Sequence, residues 1–353
     1  MRSPGAGYHR GPQVPARHPS IAAALGCVRP ALAAARAGGR LGVLVACSGG
    51  ADSTALLGLL ALIAPADGID LAIGHVDHGL RAASVDEAAH VQAIGRALGV
   101  VVHTTRLALA PGSGLPARAR EARRAALREL AGRCGAAAIA LGHTRTDQAE
   151  TVLMHATRGA GLAGVAAMAA WESPWLRPLL DLPRSETRAL CGRLGLAFVD
   201  DPTNVDPQHP RVRMREQILP ALRRENPRVE AALAGLAAHA ADAEAALTDW
   251  ADREAAARRS GPASWGTAGL AALPRAVRTR VLRRICGDGG ASLSELGHSV
   301  IAAIDRAVCD RAVNAPAAAA GPRAWDLRPG RRLRLDGAGL HVEAAAEGLS
   351  SGQ

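Results

Sequence analysis

From Leu41 onward, short apolar runs alternate with helix-length segments, and this rhythm narrows the fold more than any other feature. LGVLVA (41–46), IDLAIGHVDH (69–78), VVHTTRL (101–107) and AAAIAL (136–141) read as strands. The stretches 53–64, 84–98, 117–133 and 147–158 read as helices. Strands joined through helical crossovers pair in parallel, which predicts an α/β domain with helices on both faces of the sheet. The ligand crevice of such a sheet lies at the C-terminal ends of its strands. The main polar clusters of this region fall at or just after those ends.

The first cluster is Cys47-Ser48-Gly49-Gly50-Ala51-Asp52-Ser53, between the first strand and the first helix. A strand that turns through glycines into a helix points several backbone N–H groups at one spot. The helix dipole adds positive charge there, so the turn suits a phosphate. Gly49 and Gly50 permit the dihedrals and the close approach, and Ser48 and Ser53 supply hydroxyls. Asp52 would repel a bare phosphate, so its presence suggests a bridging Mg2+. The bland use of Asp52 and Ser53 is to cap the helix. The string S-G-G-x-D-S resembles the pyrophosphate-binding loop of the N-type ATP pyrophosphatases, which cleave ATP to AMP and pyrophosphate while adenylating a substrate oxygen.

Gly159, Gly161 and Gly164 satisfy the dinucleotide pattern G-x-G-x-x-G. They follow a predicted helix rather than a strand, so the mechanism behind that pattern is missing and a nicotinamide or flavin site is rejected. In GHVDHGLR (74–81), His75 and Asp77 alternate onto one face of the second strand, with His78 opposite; a metal site and a structural cluster remain equal readings. In LGHTRTDQAETVLM (141–154), a helix opened by Asp147 places Glu150 one turn on and His143 on the preceding turn. Two carboxylates and an imidazole then converge beside the phosphate loop, suited to Mg2+, to a cationic amine or to general-base work. The competing use is a capping box in which Asp147 caps and Glu150 reaches back.

Composition limits the chemistry. All 42 basic residues counted as Lys or Arg are arginine. A chain without lysine excludes a Walker A loop, a kinase strand lysine and a Schiff base. The net charge of +10 points to a polyanion, nucleic acid first, although only seven aromatic residues are available for stacking. The six cysteines show no C-x-x-C spacing, so reduced thiols and a cytoplasmic location are expected rather than disulfides or zinc. No apolar run reaches membrane-spanning length.

Residues 1–20, rich in Pro, Gly and Arg, read as a disordered tail, and 21–218 as the nucleotide domain. A small helical domain is expected over 219–310, with arginines facing RNA. Residues 311–353 form a C-terminal extension whose alternation around Asp336-Gly337 predicts a β-hairpin.

Taken in order, S-G-G-x-D-S, H-V-D-H-G-L-R, the A-R-x-x-R of 119–123, G-H-x-x-x-D-Q-A-E-T, R-G-x-G, R-P-L-L and D-P-T-N resemble the tRNA(Ile)-lysidine synthetases over roughly 40–220. The resemblance implies a Rossmann-like, adenine nucleotide alpha hydrolase-like fold and a carbon–nitrogen ligase. It implies that ATP adenylates the C2 oxygen of the wobble cytidine of tRNA(Ile) with anticodon CAU. The ε-amine of free lysine then expels AMP to give lysidine, switching identity from methionine to isoleucine. A homodimer is left open. Ser48, Gly49, Gly50, Ala51, Asp52, Ser53 and His75 are the expected ATP-binding residues, with Asp52 toward Mg2+. Arg120 and Arg213 or Arg215 would face the developing phosphate charge, guanidinium being permanently charged and bidentate. His143, Asp147 and Glu150 would share the handling of lysine.

The chain departs from the family pattern at Thr144 and Thr146, where a second His and a first Asp are usual, and at Val212 within R-V-R-M-R. Pro116 stands where Glu is usual and Arg124 where Tyr is. The longer members also carry a C-terminal domain that grips the acceptor stem. The alternatives are a tRNA thiolase of the same superfamily and a non-catalytic tRNA-binding protein.

Overall fold

The structure is a computed structural model that describes residues 18–77, 84–108, 112–199, 208–313 and 321–345. The chain divides into two compact units, 1–241 and 242–353.

The first unit opens with α1 (Pro19–Ala35), followed by β1 (Leu41–Ala46), α2 (Ala51–Asp67), β2 (Ile69–Asp77), α3 (Ser84–Leu98) and β3 (Val101–Arg106). Next come α4 (Leu115–Arg133), β4 (Ala138–Ala140), α5 (Arg145–Ala156) and the single turn α6 (Leu162–Val165). Two short strands, β5 (Trp171–Glu172) and β6 (Trp175–Leu176), precede α7 (Arg184–Arg193). The six-stranded sheet runs β3-β2-β1-β4-β6-β5, parallel except for the β5–β6 pair. Consecutive strands extend outward from β1 on one side, and β4 joins it on the other. Between β1 and β4 the strand order reverses, and a crevice opens at their C-terminal ends.

Period-two alternation in β1 decides which helices it meets. Val43, Val45 and Cys47 join Leu56, Leu57, Leu59, Leu60 and Leu190 in one core, beneath α1, α2 and α7. Leu44 and Ala46 face the other way, onto Leu127 and Leu130 of α4 and onto Trp175. Helix α2 is buried on nearly every side, which explains why its sequence is uniformly apolar rather than striped.

Residues 210–225 form one nearly continuous helical run: α8 (Pro210–Arg213), a π-helical turn at Met214–Ile218, and α9 (Leu219–Glu225). Helix α10 (Val229–Ala257) then crosses from the first unit into the second.

The second unit adds β7 (Arg259–Gly261), β8 (Ser264–Trp265), α11 (Arg275–Asp288) and α12 (His298–Val313). It ends with β9 (Arg323–Leu327), β10 (Arg331–Asp336) and β11 (Gly339–Ala344). The last two strands form a hairpin inside a five-stranded antiparallel sheet, β7-β8-β11-β10-β9. Helical periodicity over 221–308 did not disclose β7 and β8, which are too short to show an alternation. Trp265, Leu282, Ile285, Leu333 and Leu340 centre this unit's core.

Candidate functional site

The turn after β1 is held open by its own side chains. Ser53 Oγ accepts from the Ser48 amide at 3.2 Å and donates to the Gly50 carbonyl at 3.1 Å. The Val199 amide pins the Gly49 carbonyl at 2.9 Å. Gly49 sits at φ +83°, where a Cβ would also press on the His90 ring at 3.2 Å, so glycine is required twice over. The N-cap of α2 is Gly50, with no side-chain cap. The first-turn amides and the positive end of a 17-residue helix are therefore left for an anion. Asp52 and Ser53 do not cap the helix. Helix α2 begins at Ala51, two residues before the sequence reading placed it.

Asp52 lies in that first turn and is oriented from α7. Thr187, fully buried, donates to Asp52 Oδ1 at 2.7 Å, and Arg184 stands 3.6 Å from Oδ2. Burial pushes the Asp52 carboxyl up, against the pull of Arg184 and Thr187. Neither Arg184 nor Thr187 was singled out in the sequence. They lie 130 residues and more from the loop, in a segment without a motif of its own.

The turn after β4 meets the loop because Gly142 has no side chain: a Cβ there would stand 2.9 Å from the Ser53 amide. This close approach brings α5 alongside Asp52. Helix α5 starts at Arg145, so Thr144 is its N-cap and Asp147 its third residue. The capping box is thus Thr144 with Asp147, three residues earlier than a box formed by Asp147 and Glu150. The Thr144 amide and hydroxyl donate to Asp147 Oδ2 at 2.9 and 2.7 Å. Burial raises Asp147, but the Thr144 bonds, His143 and Arg215 outweigh it and hold its carboxyl below the usual range. The two threonines that depart from the family pattern both have structural partners. Thr144 caps, and Thr146 donates to Glu230 at 2.8 Å.

Glu150 is fully buried. Its Oε1 accepts from Arg215 Nε at 2.6 Å, while Oε2 has no hydrogen-bond partner. Burial pushes this carboxyl up, with Arg215 opposing. Arg215 also stands 3.6 Å from Asp147 Oδ1. It projects from the π-helical turn, where the extra residue per turn re-aims the side chain. The structure separates the two arginine candidates: Arg215 enters the acidic cluster, whereas Arg213 bonds the Gln208 carbonyl at 2.9 Å in an exposed position. Arg211, not among the candidates, reaches Thr151 at 3.2 Å beside them.

His143 Nδ1 is sealed from solvent without a partner. Burial, reinforced by Arg211, Arg177 and Arg123, lowers its pKa to about 4 despite Asp147. The imidazole is neutral at physiological pH. His75 is buried, with Nδ1 2.9 Å from the Cys47 carbonyl. A carbonyl can only accept, so Nδ1 donates to it, and Nε2 is buried without a partner. Asp77 pairs with Arg106 at 3.5 Å; His78, and the D-P-T-N segment, lie outside the described residues. Arg120 lies on the exposed face of α4, apart from the carboxylate cluster's hydrogen bonds, with Arg123 one turn on.

The glycines of 159–164 follow α5, not a strand, and the Gly164 carbonyl accepts from His155. Among the described residues, no group of three or more His, Cys, Asp or Glu side chains is arranged to hold a metal, and no helix is long and apolar enough to cross a membrane.

Residues 31–222 match the PP-loop domain family, whose members use ATP. The chain is 42% identical over 294 residues to the tRNA(Ile)-lysidine synthase of Thermobifida fusca, covering 83% of this chain and 90% of that protein. It is 44% identical over 273 residues to the enzyme of the same name from Salinispora tropica, covering 75% and 82%. A U34-tRNA thiolase from Methanococcus maripaludis shares the fold, with a TM-score of 0.54 and 18% identity over 62% of this chain and 78% of that one. With its ATP-type loop and adjoining acidic cluster, the chain belongs to the tRNA(Ile)-lysidine synthase family.

Proposed function

We propose that the protein joins lysine to C2 of the wobble cytidine of tRNA(Ile) with anticodon CAU, consuming ATP and releasing pyrophosphate and AMP. The observation that carries this reading is Glu150 Oε2, a buried acceptor without a partner beside an uncapped helix N-terminus. A buried carboxylate oxygen left bare calls for a donor, and a lysine ammonium supplies one.

In the first step the cytidine C2 oxygen bonds to the α-phosphorus of ATP and the bond to pyrophosphate breaks. The amides of Gly49 to Ser53 would receive the departing pyrophosphate, whose charge the α2 dipole favours. Ser48 and Ser53 shape that turn. Mg2+, carried mainly by the phosphates, would be held by Asp52, the one carboxylate in the first turn of α2. It would supply charge neutralisation. Arg215 and Arg120 are assigned to the charge on the α-phosphate, and His75 Nε2 to an N–H donor on the nucleotide.

In the second step the lysine nitrogen bonds to C2, and the C2–O bond breaks with its electrons leaving on AMP. The opposite shifts of the two carboxylates divide the work. Asp147, held low by Thr144, stays ionised and fixes the helix start. Glu150, pushed up, is the stronger base and takes the ammonium proton. A neutral His143 adds no positive charge to repel the incoming amine. All these residues lie within 1–241, so a homodimer would not be needed to complete the site. We place the reaction in the cytoplasm, where its substrates are found.

The thiolase alternative needs reactive thiolates. Cys47 is buried, and burial raises its thiol. Cys191 is buried as well and is pushed up to about 12.

The deciding experiment follows radiolabelled lysine into a tRNA(Ile) CAU transcript with ATP and Mg2+, against elongator methionine tRNA with the same anticodon. Label on the first only is expected. Pyrophosphate release without label would replace lysine by another nucleophile. Neither signal would leave a binding protein.

A further inference from the structure

Helix α4 carries Arg120, Arg124 and Arg128 at four-residue intervals along one face, lining a groove of about 490 Å3 together with Ala117 and Glu121. A rise of 1.5 Å per residue spaces the three guanidinium stems about 6 Å apart, the scale of successive phosphates on an extended strand. None of the three has a carboxylate partner among the described residues; Glu121 is the one acid in the groove.

Two of the guanidiniums are held in place without being neutralised. Arg124 lies over the Trp175 ring at 4.5 Å from its centroid, and Arg128 at 5.2 Å. Trp175 belongs to β6 and is 3% exposed, so its ring is closed to solvent. It is therefore a platform for arginines and not for bases. Cation–π contact fixes the two side chains yet leaves their N–H edges and charge available.

Several of the arginines expected to face RNA in the second unit differ. Arg280 is paired with Glu244, Arg258 with Glu254, Arg284 with Asp252 and Asp288, and Arg278 with Asp305. A phosphate approaching those cations must compete with carboxylates already bound. At the α4 groove it would not. Arg123, on the adjacent face, is close enough to His143 to lower its pKa, so this helix leads toward the site described above.

We propose that the α4 groove is a track for the RNA phosphodiester backbone, with Arg124 and Arg128 as phosphate contacts pre-ordered on Trp175. This deepens the tRNA reading and rests on it. Arg124, standing where the family pattern has Tyr, becomes a second cation on the track.

The test measures the affinity of the full chain for tRNA(Ile) CAU across a series of KCl concentrations. Arg124→Gln/Arg128→Gln should weaken binding on the order of tenfold near 0.1 M salt. It should also make the slope of log K against log [salt] shallower by about 1.4, two contacts at roughly 0.7 each. Arg124→Lys/Arg128→Lys keeps the charge and should restore the slope. An unchanged slope in the Gln variant overturns the proposal. An equal slope loss in the Gln and Lys variants would trace to disturbed Trp175 packing and overturns it too. If poly-aspartate loses affinity in the Gln variant while the tRNA slope stays put, the groove belongs to an acidic protein segment instead. Wild-type lysine incorporation is scored separately: its failure sinks the enzymatic reading, while the slopes still decide the groove.

Discussion

Replacing Arg215 by Met removes the cation that faces a fully buried Glu150. The side chain of Arg215 is itself only 17% exposed, so solvent screens the pair little. Leaving a buried carboxylate unpaired costs about 3–5 kcal/mol, but the group has an escape, which is to bind a proton. With an ordinary value of 4.5, protonating it at pH 7 costs about 3.4 kcal/mol, 2.5 units at ~1.36 kcal/mol each. That sets a ceiling on the loss. At pH 5 the same escape costs only about 0.7 kcal/mol. The sign follows from linkage. In Arg215→Met the folded state holds a proton that the unfolded state has released, so stability falls as pH rises above 4.5. The loss relative to wild type should be about 3 kcal/mol at pH 7 and shrink below about 1 kcal/mol at pH 5. Urea unfolding followed by tryptophan fluorescence at pH 5, 6, 7 and 8 measures it. Adding Glu150→Gln should recover most of the loss at pH 7. A loss that is the same at every pH, or under 1 kcal/mol at pH 7, would refute the burial of this pair as the cause.

Three further outcomes are expected. Because burial lowers His143 from 6.5 to about 4, the unfolded chain takes up a proton before the folded one. Stability should therefore drop by up to about 3 kcal/mol as pH falls from 6.5 to 4, a slope that His143→Gln should flatten in urea titrations. Thr187→Val removes the bond that orients Asp52 and should slow pyrophosphate release between about two- and tenfold. Thr187→Ser should restore it, and failure of that rescue would point to packing rather than the hydroxyl. Gly49→Ala forces a side chain to φ +83° against His90. It should cost about 1–2 kcal/mol and reduce the thermal shift produced by ATP.

The alternation of 41–141 announced a parallel sheet because side-chain period is a local property, and each strand's own residues report it. The loop 47–53 was legible for the same reason: glycines, hydroxyls and a carboxylate in seven consecutive positions state their chemistry without help from elsewhere. Boundaries were less secure. Asp147 and Thr144 are both good capping residues, and only the course of the chain after β4 selects Thr144. The spacing of R-V-R-M-R likewise gave Arg213 and Arg215 equal standing. The π-helical turn separated them, and that turn leaves no periodic trace in five residues.

What the sequence determined by itself, then, is the alternation of strands and helices over 41–158 and the presence of a phosphate-type turn, both encoded within a few residues. The tertiary structure decided which distant groups meet: Thr187 on Asp52, Arg215 on Glu150, and Gly142 against Ser53. These contacts span 65 to 135 residues in the first two cases. They depend on how helices pack across an open, mainly parallel sheet, an arrangement that no local pattern of charge or apolarity records.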